Sequence, residues 1–162
     1  MKNFPIKDSN TGKEYWISRA ICVAAFVFTK DNNDNYCILA NKRGKGTPDY
    51  QGYWNCPCGY LDFDEAIEEA AIREVHEETG VNVQSIVMYN FNDDPKEEKQ
   101  NVTFRFVGMA EYQDKFTIDE TRGGEKDEVD NIKFIPIQDL DKYNWAFNHK
   151  DLIKEIFNCY IK

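Results

Sequence analysis

The chain has 162 residues, of which 41% are hydrophobic and 14% aromatic, which is enough for one domain with a hydrophobic core and short for two. Its formal net charge of −9 excludes broad electrostatic binding to a nucleic-acid backbone. No apolar run reaches the roughly 18 residues of a membrane span, and the N-terminus lacks the apolar core of a secretion signal. Five unevenly spaced cysteines do not form a disulfide framework, so we expect reduced thiols and a cytoplasmic protein.

The N-terminal part predicts short paired strands and then a buried one. A turn signal at Thr11–Lys13 lies between two short segments with strand character. Residues 1–18 are therefore expected to form an arm or a hairpin. The next run, Ala20–Phe28, is almost continuously apolar, β-branched or aromatic, which is typical of a strand buried on both faces.

A polar turn and a basic segment flank the next predicted strand, Tyr36–Ala40. The turn, Asp31–Asn35, alternates Asp and Asn as a calcium loop does, but it has no central glycine and is interpreted as a hairpin turn. The segment Asn41–Gly46 is the one compact basic patch of the sequence. It is either an exposed loop or a contact for an anionic ligand.

An amphipathic helix follows a tight turn at Pro57 and Gly59. Asp62 and Glu65 have the spacing of a capping box at its start, and Gly80 is the expected left-handed stop after Thr79. Its apolar residues form a stripe that should pack on the sheet. They are Ile67, Ala70, Ala71 and Val75.

Three glutamates of this helix, Glu74, Glu77 and Glu78, stand at i, i+3 and i+4 and are predicted to share one face. Like charges at this spacing repel one another. They are either a solvated acidic face or ligands of a divalent cation, which would also mediate contact between this acidic chain and a phosphate-bearing substrate. Glu68 and Glu69 are expected to be solvated charge.

The remainder of the chain completes one α/β domain, predicted to span residues 1–162. Further strands are predicted at Val83–Tyr89, Val102–Val107 and Ile132–Ile137. A closing amphipathic helix follows a capping signal at Asn148 and Asp151. His76 and His149 have no predicted role.

The stretch Gly59–Val81 resembles the Nudix box in full. The family pattern is Gly, five residues, Glu, seven residues, Arg-Glu-U-x-Glu-Glu-x-Gly-U, where U is a bulky aliphatic residue. The matching positions are Gly59, Glu65, Arg73, Glu74, Val75, Glu77, Glu78, Gly80 and Val81. A chance match in a chain of this length has a probability below ~10⁻⁷. The resemblance implies a Nudix-type α/β/α sandwich with a mixed central sheet.

The resemblance also implies roles for the box residues. Glu74, Glu77 and Glu78 would hold Mg²⁺ or Mn²⁺, and the carbonyl of Gly59 would be a further ligand. Arg73 would orient the carboxylates. Its partner in the family is the glutamate at position 65, whereas helix geometry alone favours the i−4 neighbour, Glu69.

Residues outside the box are assigned with alternatives. The family often uses a glutamate from a late loop as metal ligand or general base, and Glu128 is the candidate here. Glu125 and Glu120 compete for that role, and a solvated loop charge is the other interpretation. Arg43 is the candidate for a basic contact to substrate. Trp54, with Tyr50, would stack on a base or else pack as a loop aromatic.

One departure from the family pattern lies in the turn before the helix. The family commonly has Pro-Gly-Gly, whereas this chain has Pro57-Cys58-Gly59. A cysteine there would alter the loop or place a thiol near the metals. Cys56 and Cys58 form a CxC pair, but no second Cys/His pair lies at zinc spacing, so a zinc site is not expected.

The function implied by the resemblance is that of a metal-dependent pyrophosphohydrolase. It would cleave the diphosphate bond of a nucleoside diphosphate linked to another group, either an ADP-ribose-like or dinucleotide-like compound or a nucleoside triphosphate. The alternative is a non-catalytic nucleotide sensor with the same fold. The expected partner is a small-molecule nucleotide, with no membrane and no extensive nucleic-acid contact, and a homodimer is compatible with the sequence.

Overall fold

The structure, a computed structural model, describes residues 3–97, 99–117 and 127–162. Two strands, β1 (Phe4–Lys7) and β2 (Glu14–Ile17), pair as an antiparallel hairpin. Seven further strands form one sheet: β3 (Ile21–Lys30), β4 (Tyr36–Arg43), β5 (Trp54–Asn55), β6 (Cys58–Tyr60), β7 (Val83–Asn92), β8 (Val102–Ala110) and β9 (Val129–Pro136).

The helices of the described chain are α1 (Ile67–Thr79) and α2 (His149–Ile156), with a 3₁₀ helix at Ile137–Lys142 and a π-helical turn at Phe157–Ile161. None of these helices is long and apolar enough to cross a membrane.

β3 is the central strand, and its alternating side chains build both halves of the core. Successive side chains of a strand point to opposite faces of the sheet. Val23, Ala25 and Val27 pack with residues of α1, and Ala24, Phe26 and Phe28 pack with residues of α2. The helices therefore cover opposite faces of the sheet. This confirms the predicted α/β/α sandwich and the prediction that this strand is buried on both faces.

The sheet is mixed and it splits in the middle. β3 and β8 are parallel, while the other strand pairs are antiparallel. β3 pairs with β4 only where Phe28–Lys30 face Tyr36–Ile38. The first half of β3 pairs with β6, and the far end of β4 pairs with β5. β3 and β4 therefore diverge, and the segment between β5 and β6 occupies the opening.

The turn between β3 and β4 is a hairpin turn, as predicted. Asp31 Oδ1 accepts hydrogen bonds from the backbone N–H groups of Asn33 at 2.8 Å and Asn35 at 2.9 Å. The Asp31 N–H donates to the Asn35 carbonyl at 2.9 Å. The side-chain oxygen is thus committed to the turn itself.

The predicted start of α1 is wrong by several residues. Glu65 accepts the Asp62 N–H at 2.8 Å, but Asp64 has φ of 66°, which an α-helix cannot contain, so this pair closes a separate turn. The helix begins after Ala66, whose N–H donates to the carboxylate of Glu69 at 2.8 Å. Glu69 is therefore a capping residue and not merely solvated charge.

The helix ends as predicted, and its end provides a stability test. Gly80 has φ of 70°, and a Cβ there would lie 2.1 Å from the Thr117 carbonyl oxygen. Gly52 has φ of 80° with no atom within 4 Å of such a Cβ. Gly52→Ala should cost only the left-handed strain of about 1–2 kcal/mol, and Gly80→Ala should cost more because the backbone must also move.

Thermal unfolding of both variants measures this difference. Each kcal/mol corresponds to a Tm decrease of about 2–4 °C in a chain of this size. Equal Tm values for the two variants would show that the contact between Gly80 and Thr117 does not constrain the helix end.

Candidate active site

A cavity of about 720 Å³ opens beside the diverging strands β3 and β4. Helix α1, the face of β8, the N-terminus of α2 and the loops after β4 and β7 all contribute to its wall. Of the residues predicted for the site, the cavity brings together Arg43, Gly59, Arg73, Glu74, Glu78 and Glu128. Glu77 and Trp54 do not line it.

Glu74 and Glu78 are carboxylates in a poorly solvated environment. The side chain of Glu74 is only 12% exposed, and burial raises its pKa. Burial raises the pKa of Glu78 well above its usual range, and the charges of Glu74 and Glu128 act in the same direction. The Cys58 N–H partly offsets this effect by donating to Glu78 Oε2 at 3.2 Å. Two acids of one helix are therefore held close together away from bulk water.

Arg73 is the cation that contacts Glu74 directly, together with two further glutamates. Its guanidinium donates to both carboxylate oxygens of Glu65 at 2.7 and 3.0 Å. It also donates to Glu74 at 2.8 Å and to Glu77 at 3.0 Å. The partner of Arg73 is thus Glu65, as the resemblance implied, while Glu69 caps the helix. A planar fork with five donors suits this arrangement, and an ammonium group would not replace it.

Gly59 lacks a side chain where Glu74 needs space. A Cβ built on Gly59 would lie 2.1 Å from Glu74 Oε1 and 2.6 Å from Oε2. A side chain at this position would therefore require the Glu74 carboxylate to move. The structure thus gives a steric reason for glycine at this position.

Of the three glutamates predicted on one face, Glu74 and Glu78 line the cavity. Glu77 lines a separate hollow together with Glu69 and His76. The helix turns about 100° per residue, so Glu78 lies about 40° to one side of Glu74 and Glu77 about 60° to the other. Arg73 lies between the two carboxylates, because its Nη1 donates both to Glu74 and to Glu77.

The residues present fit a divalent cation through their oxygen atoms. Among residues 3–97, 99–117 and 127–162, no three His, Cys, Asp or Glu side chains form a group that could hold a metal ion. Mg²⁺, however, is usually bound by one or two carboxylates and keeps several waters. Glu74 and Glu78 provide such a pair. Asn41 also lines the cavity, and its buried Oδ1 has no hydrogen-bond partner in the described chain.

Of the three late-loop glutamates predicted as metal ligand or general base, Glu128 lies among the residues that the structure describes. Glu128 lines the cavity, and its backbone carbonyl accepts the Gly44 N–H at 2.6 Å, which ties this loop to the segment after β4. Its charge contributes to the raised pKa of Glu78. Glu120 and Glu125 lie outside the described residues.

Arg43 lines the cavity within a charge network. Its guanidinium donates to Asp49 Oδ1 at 2.6 Å, and Lys99 donates to the other oxygen of the same carboxylate at 2.7 Å. Two cations thus share one anion at the edge of the cavity. This arrangement leaves positive charge there in an otherwise acidic chain.

Trp54 does not occupy the position expected for a base-stacking residue. It is 7% exposed and packs edge-on against Tyr143 at 5.4 Å within the core. Tyr50 and Phe147 line the cavity instead, with ring centroids 4.9 Å apart. Both have positive φ, of 50° and 54°, a conformation that bulky residues rarely adopt. Phe147 carried no sequence signal for this position.

His149 and Arg105 also line the cavity, although no sequence motif indicated a role for either of them. His149 is buried, and its Nδ1 accepts the backbone N–H of Cys56 at 3.0 Å. Burial, reinforced by the positive charges of Arg105 and Arg43, lowers its pKa to about 3. The imidazole is therefore neutral, with its proton on Nε2. Arg105 is the charged residue of β8 and lies between Phe104 and Phe106.

Cys58 is held as a thiol. Burial raises its pKa, and its Sγ lies 3.4 Å from the amide nitrogen of Asn55, which donates to it. A protonated thiol is a poor metal ligand. All five cysteines are unpaired.

Comparison with known proteins matches this architecture to one family. A family model described as NUDIX domain matches residues 19–156. A protein described as ADP-ribose pyrophosphatase, from Methanocaldococcus jannaschii, is 31% identical over 136 residues, which are 80% of this chain and 68% of that protein. An RNA pyrophosphohydrolase from Wolbachia pipientis subsp. Culex pipiens is 36% identical over 69 residues, 43% of this chain and 38% of that protein.

A solved structure agrees at the level of the fold. The NUDIX domain of Shewanella oneidensis NrtR, crystallised with ADP ribose, matches with a TM-score of 0.73. The match covers 88% of each chain at 23% sequence identity. This likeness supports the arrangement of strands and helices.

The neutral state of His149 predicts a pH dependence of stability. In the unfolded chain the imidazole has its usual pKa of about 6.5, so between pH 6.5 and 3 the unfolded state binds a proton that the folded state does not. The free energy of unfolding should therefore fall as the pH is lowered through this range. Between pH 7 and 5 this one residue should account for about 2 kcal/mol.

Urea unfolding at pH 7 and pH 5 of the wild type and of His149→Asn measures this contribution. Asparagine Oδ1 can accept the Cys56 N–H in place of Nδ1 but does not titrate, so the variant should lose about 2 kcal/mol less between the two pH values. The raised pKa values of Glu74 and Glu78 affect both proteins alike. Parallel losses in the two proteins would mean that His149 titrates normally.

Proposed function

Since the chain belongs to the Nudix family of hydrolases, we propose that it hydrolyses the diphosphate bond of a nucleoside diphosphate linked to another group, with Mg²⁺ or Mn²⁺ as cofactor. The observation that carries this proposal is the pairing of two buried glutamates, Glu74 and Glu78, in one large cavity beside Arg73. Buried like charges cost free energy, and a cation between them would recover it.

Glu74 and Glu78 would hold the cation, with the Gly59 carbonyl and Glu77 as further proposed ligands. When bound, the cation would neutralise phosphate oxygens and lower the pKa of a coordinated water. Arg73 would keep the carboxylate of Glu74 oriented through its bond at 2.8 Å. Glu77 would contribute only by exchanging its present bond with Arg73.

Glu128 is the proposed general base. It lines the same cavity as Glu74 and Glu78, so it can reach a water that approaches the scissile phosphorus. A base from a different segment than the metal ligands can accept a proton without surrendering a ligand. Glu125 remains the competing candidate for this role.

Arg43 and the aromatic pair would bind the rest of the substrate. Arg43 carries positive charge at the cavity edge, where it can contact a phosphate by exchanging its bond with Asp49. Tyr50 and Phe147 expose 46% and 42% of their surface, so a nucleobase can stack on them. Trp54 has no such surface.

ADP-ribose is the first substrate to test. The relative from Methanocaldococcus jannaschii is described as an ADP-ribose pyrophosphatase, and the match includes 80% of this chain. A cavity of about 720 Å³ lies within the usual size range for a small-molecule ligand. A nucleoside triphosphate is the second candidate substrate.

Substitution of Glu78 tests the proposal. Glu78→Gln keeps the side-chain shape and removes the charge, so kcat with ADP-ribose and Mg²⁺ should fall by about 10²-fold or more, because metal-assisted stabilisation of the transition state is worth several kcal/mol. Glu68→Gln is the matched control, since Glu68 is an exposed glutamate of the same helix. Its kcat should stay at the wild-type value.

Metal removal and a substrate panel complete this test. EDTA should abolish hydrolysis of ADP-ribose, and added Mg²⁺ or Mn²⁺ should restore it. The panel contains dinucleotides, nucleoside triphosphates and capped RNA. Wild-type turnover in Glu78→Gln would refute the role of the glutamates. Saturable nucleotide binding without hydrolysis of any compound would support the sensor instead.

A further inference from the structure

Arg105 projects from the sheet into the cavity. Across the strands it lies in one row with Asn90 of β7, Ala24 of β3 and Cys58 of β6, and paired residues of neighbouring strands point to the same face. This is the face that α2 covers farther along β3, where Phe26 and Phe28 pack with its side chains. At Arg105 the face is instead open to the cavity.

The guanidinium of Arg105 has no direct partner in the described part of the chain. The two carboxylates that act on it electrostatically are Glu97 and Glu155. Glu97 accepts the Asn92 amide at 2.7 Å, and Glu155 accepts the Tyr89 hydroxyl. Arg105 is half-buried, and this burial lowers its pKa from the usual range. A poorly solvated cation without a hydrogen bond costs free energy, which a bound ligand that accepts its hydrogen bonds would recover.

His149 adds a second donor to the same part of the cavity. Its Nδ1 is occupied by the Cys56 N–H, so the proton resides on Nε2, which has no protein partner among the described residues. Arg105 is close enough for its charge to lower the pKa of His149. His149 is also the first residue of α2, where backbone N–H groups carry partial positive charge.

We propose that Arg105 and His149 form a second anion subsite of the cavity, which binds a phosphate group of the substrate other than the diphosphate that is cleaved. The groups offered are donors: the fork of Arg105 and the Nε2–H of His149. Phosphate oxygens are pure acceptors and match the fork geometrically. A nucleobase would need acceptors from the protein as well, and Glu97 is already committed to Asn92.

The subsite deepens the proposed function and rests on it only for the identity of the substrate. The glutamates would act on the scissile diphosphate through a cation, whereas Arg105 and His149 bind phosphate directly. A further phosphate could be the third one of a nucleoside triphosphate or a monoester on the nucleoside. Both share the same chemistry at the subsite.

Phosphate binding in the presence of EDTA tests the subsite separately from catalysis. Chelation removes any contribution from a metal at the glutamates, and calorimetry with inorganic phosphate and pyrophosphate measures the dissociation constant. Arg105→Gln and His149→Asn, which can keep the acceptor for the Cys56 N–H but lacks a donor at the position of Nε2, should each weaken binding roughly tenfold, the usual cost of losing hydrogen bonds to a charged group. Arg105→Lys, which keeps the charge and loses the fork, should weaken it less.

Two controls identify the source of the binding. Lys154→Gln removes a surface cation that pairs with Asp141 and should leave binding unchanged. Glu78→Gln should bind phosphate at least as well as the wild type while losing hydrolysis, so failure of the proposed function and failure of the subsite are distinguishable. No binding by the wild type, or equal binding by Arg105→Gln, overturns the subsite.

Kinetics identify which phosphate occupies it. KM of Arg105→Gln is compared with that of the wild type for ADP-ribose, its 2′-phosphate and a nucleoside triphosphate. KM should rise for the compound whose additional phosphate reaches Arg105 and stay the same for ADP-ribose. An equal rise for all three compounds would place Arg105 on a group common to them and refute the assignment. No rise for any compound would refute it as well.

Discussion

The bond network of Arg73 is the interaction on which the site depends. Its guanidinium contacts Glu65, Glu74 and Glu77, so a turn and two positions of α1 are fixed by one planar group. Without that cation, the pKa of the Glu74 carboxyl would be raised further, because Arg73 opposes the effect of its burial. Gly59 is coupled to the same network, because its missing side chain is the space that the Glu74 carboxylate occupies. The missing side chain of Gly59 and the positive charge of Arg73 therefore both act on the carboxylate of Glu74.

The divergence of β3 and β4 converts this helix into one wall of a cavity. Had the two strands paired along their full length, the segment from Trp54 to Cys58 would have no place in the sheet. Instead the Ala25 N–H donates to the Pro57 carbonyl, and the Cys58 N–H reaches Glu78. The same segment donates the Cys56 N–H to His149 on the other face of the sheet. One short stretch of backbone therefore donates hydrogen bonds to a glutamate on α1 and to a histidine on α2.

The sequence predicted those features that depend on local pattern. The apolar run of β3, the turn at Asp31, the stop at Gly80 and the spacing of the box glutamates all follow from periodicity or from residue chemistry over a few positions. The start of α1 was mispredicted, because the pair Asp62 and Glu65 satisfies the capping-box spacing equally well in an isolated turn. Local spacing cannot distinguish these two outcomes.

Residues joined by tertiary packing could not be predicted in this way. Trp54 and Tyr50 are close in sequence and equally aromatic, and the tryptophan is buried because it packs in the core with residues distant in sequence, Tyr143 among them. Arg105 and His149 are 44 positions apart and reach one cavity because β8 runs parallel to β3 while α2 packs on the same face. The net charge of −9 suggested an acidic molecule that needs a cation to meet phosphate. Charge is local, however: Arg105 on β8 and His149 on α2 lie on the face of the sheet that α2 covers, whereas α1 packs on the opposite face.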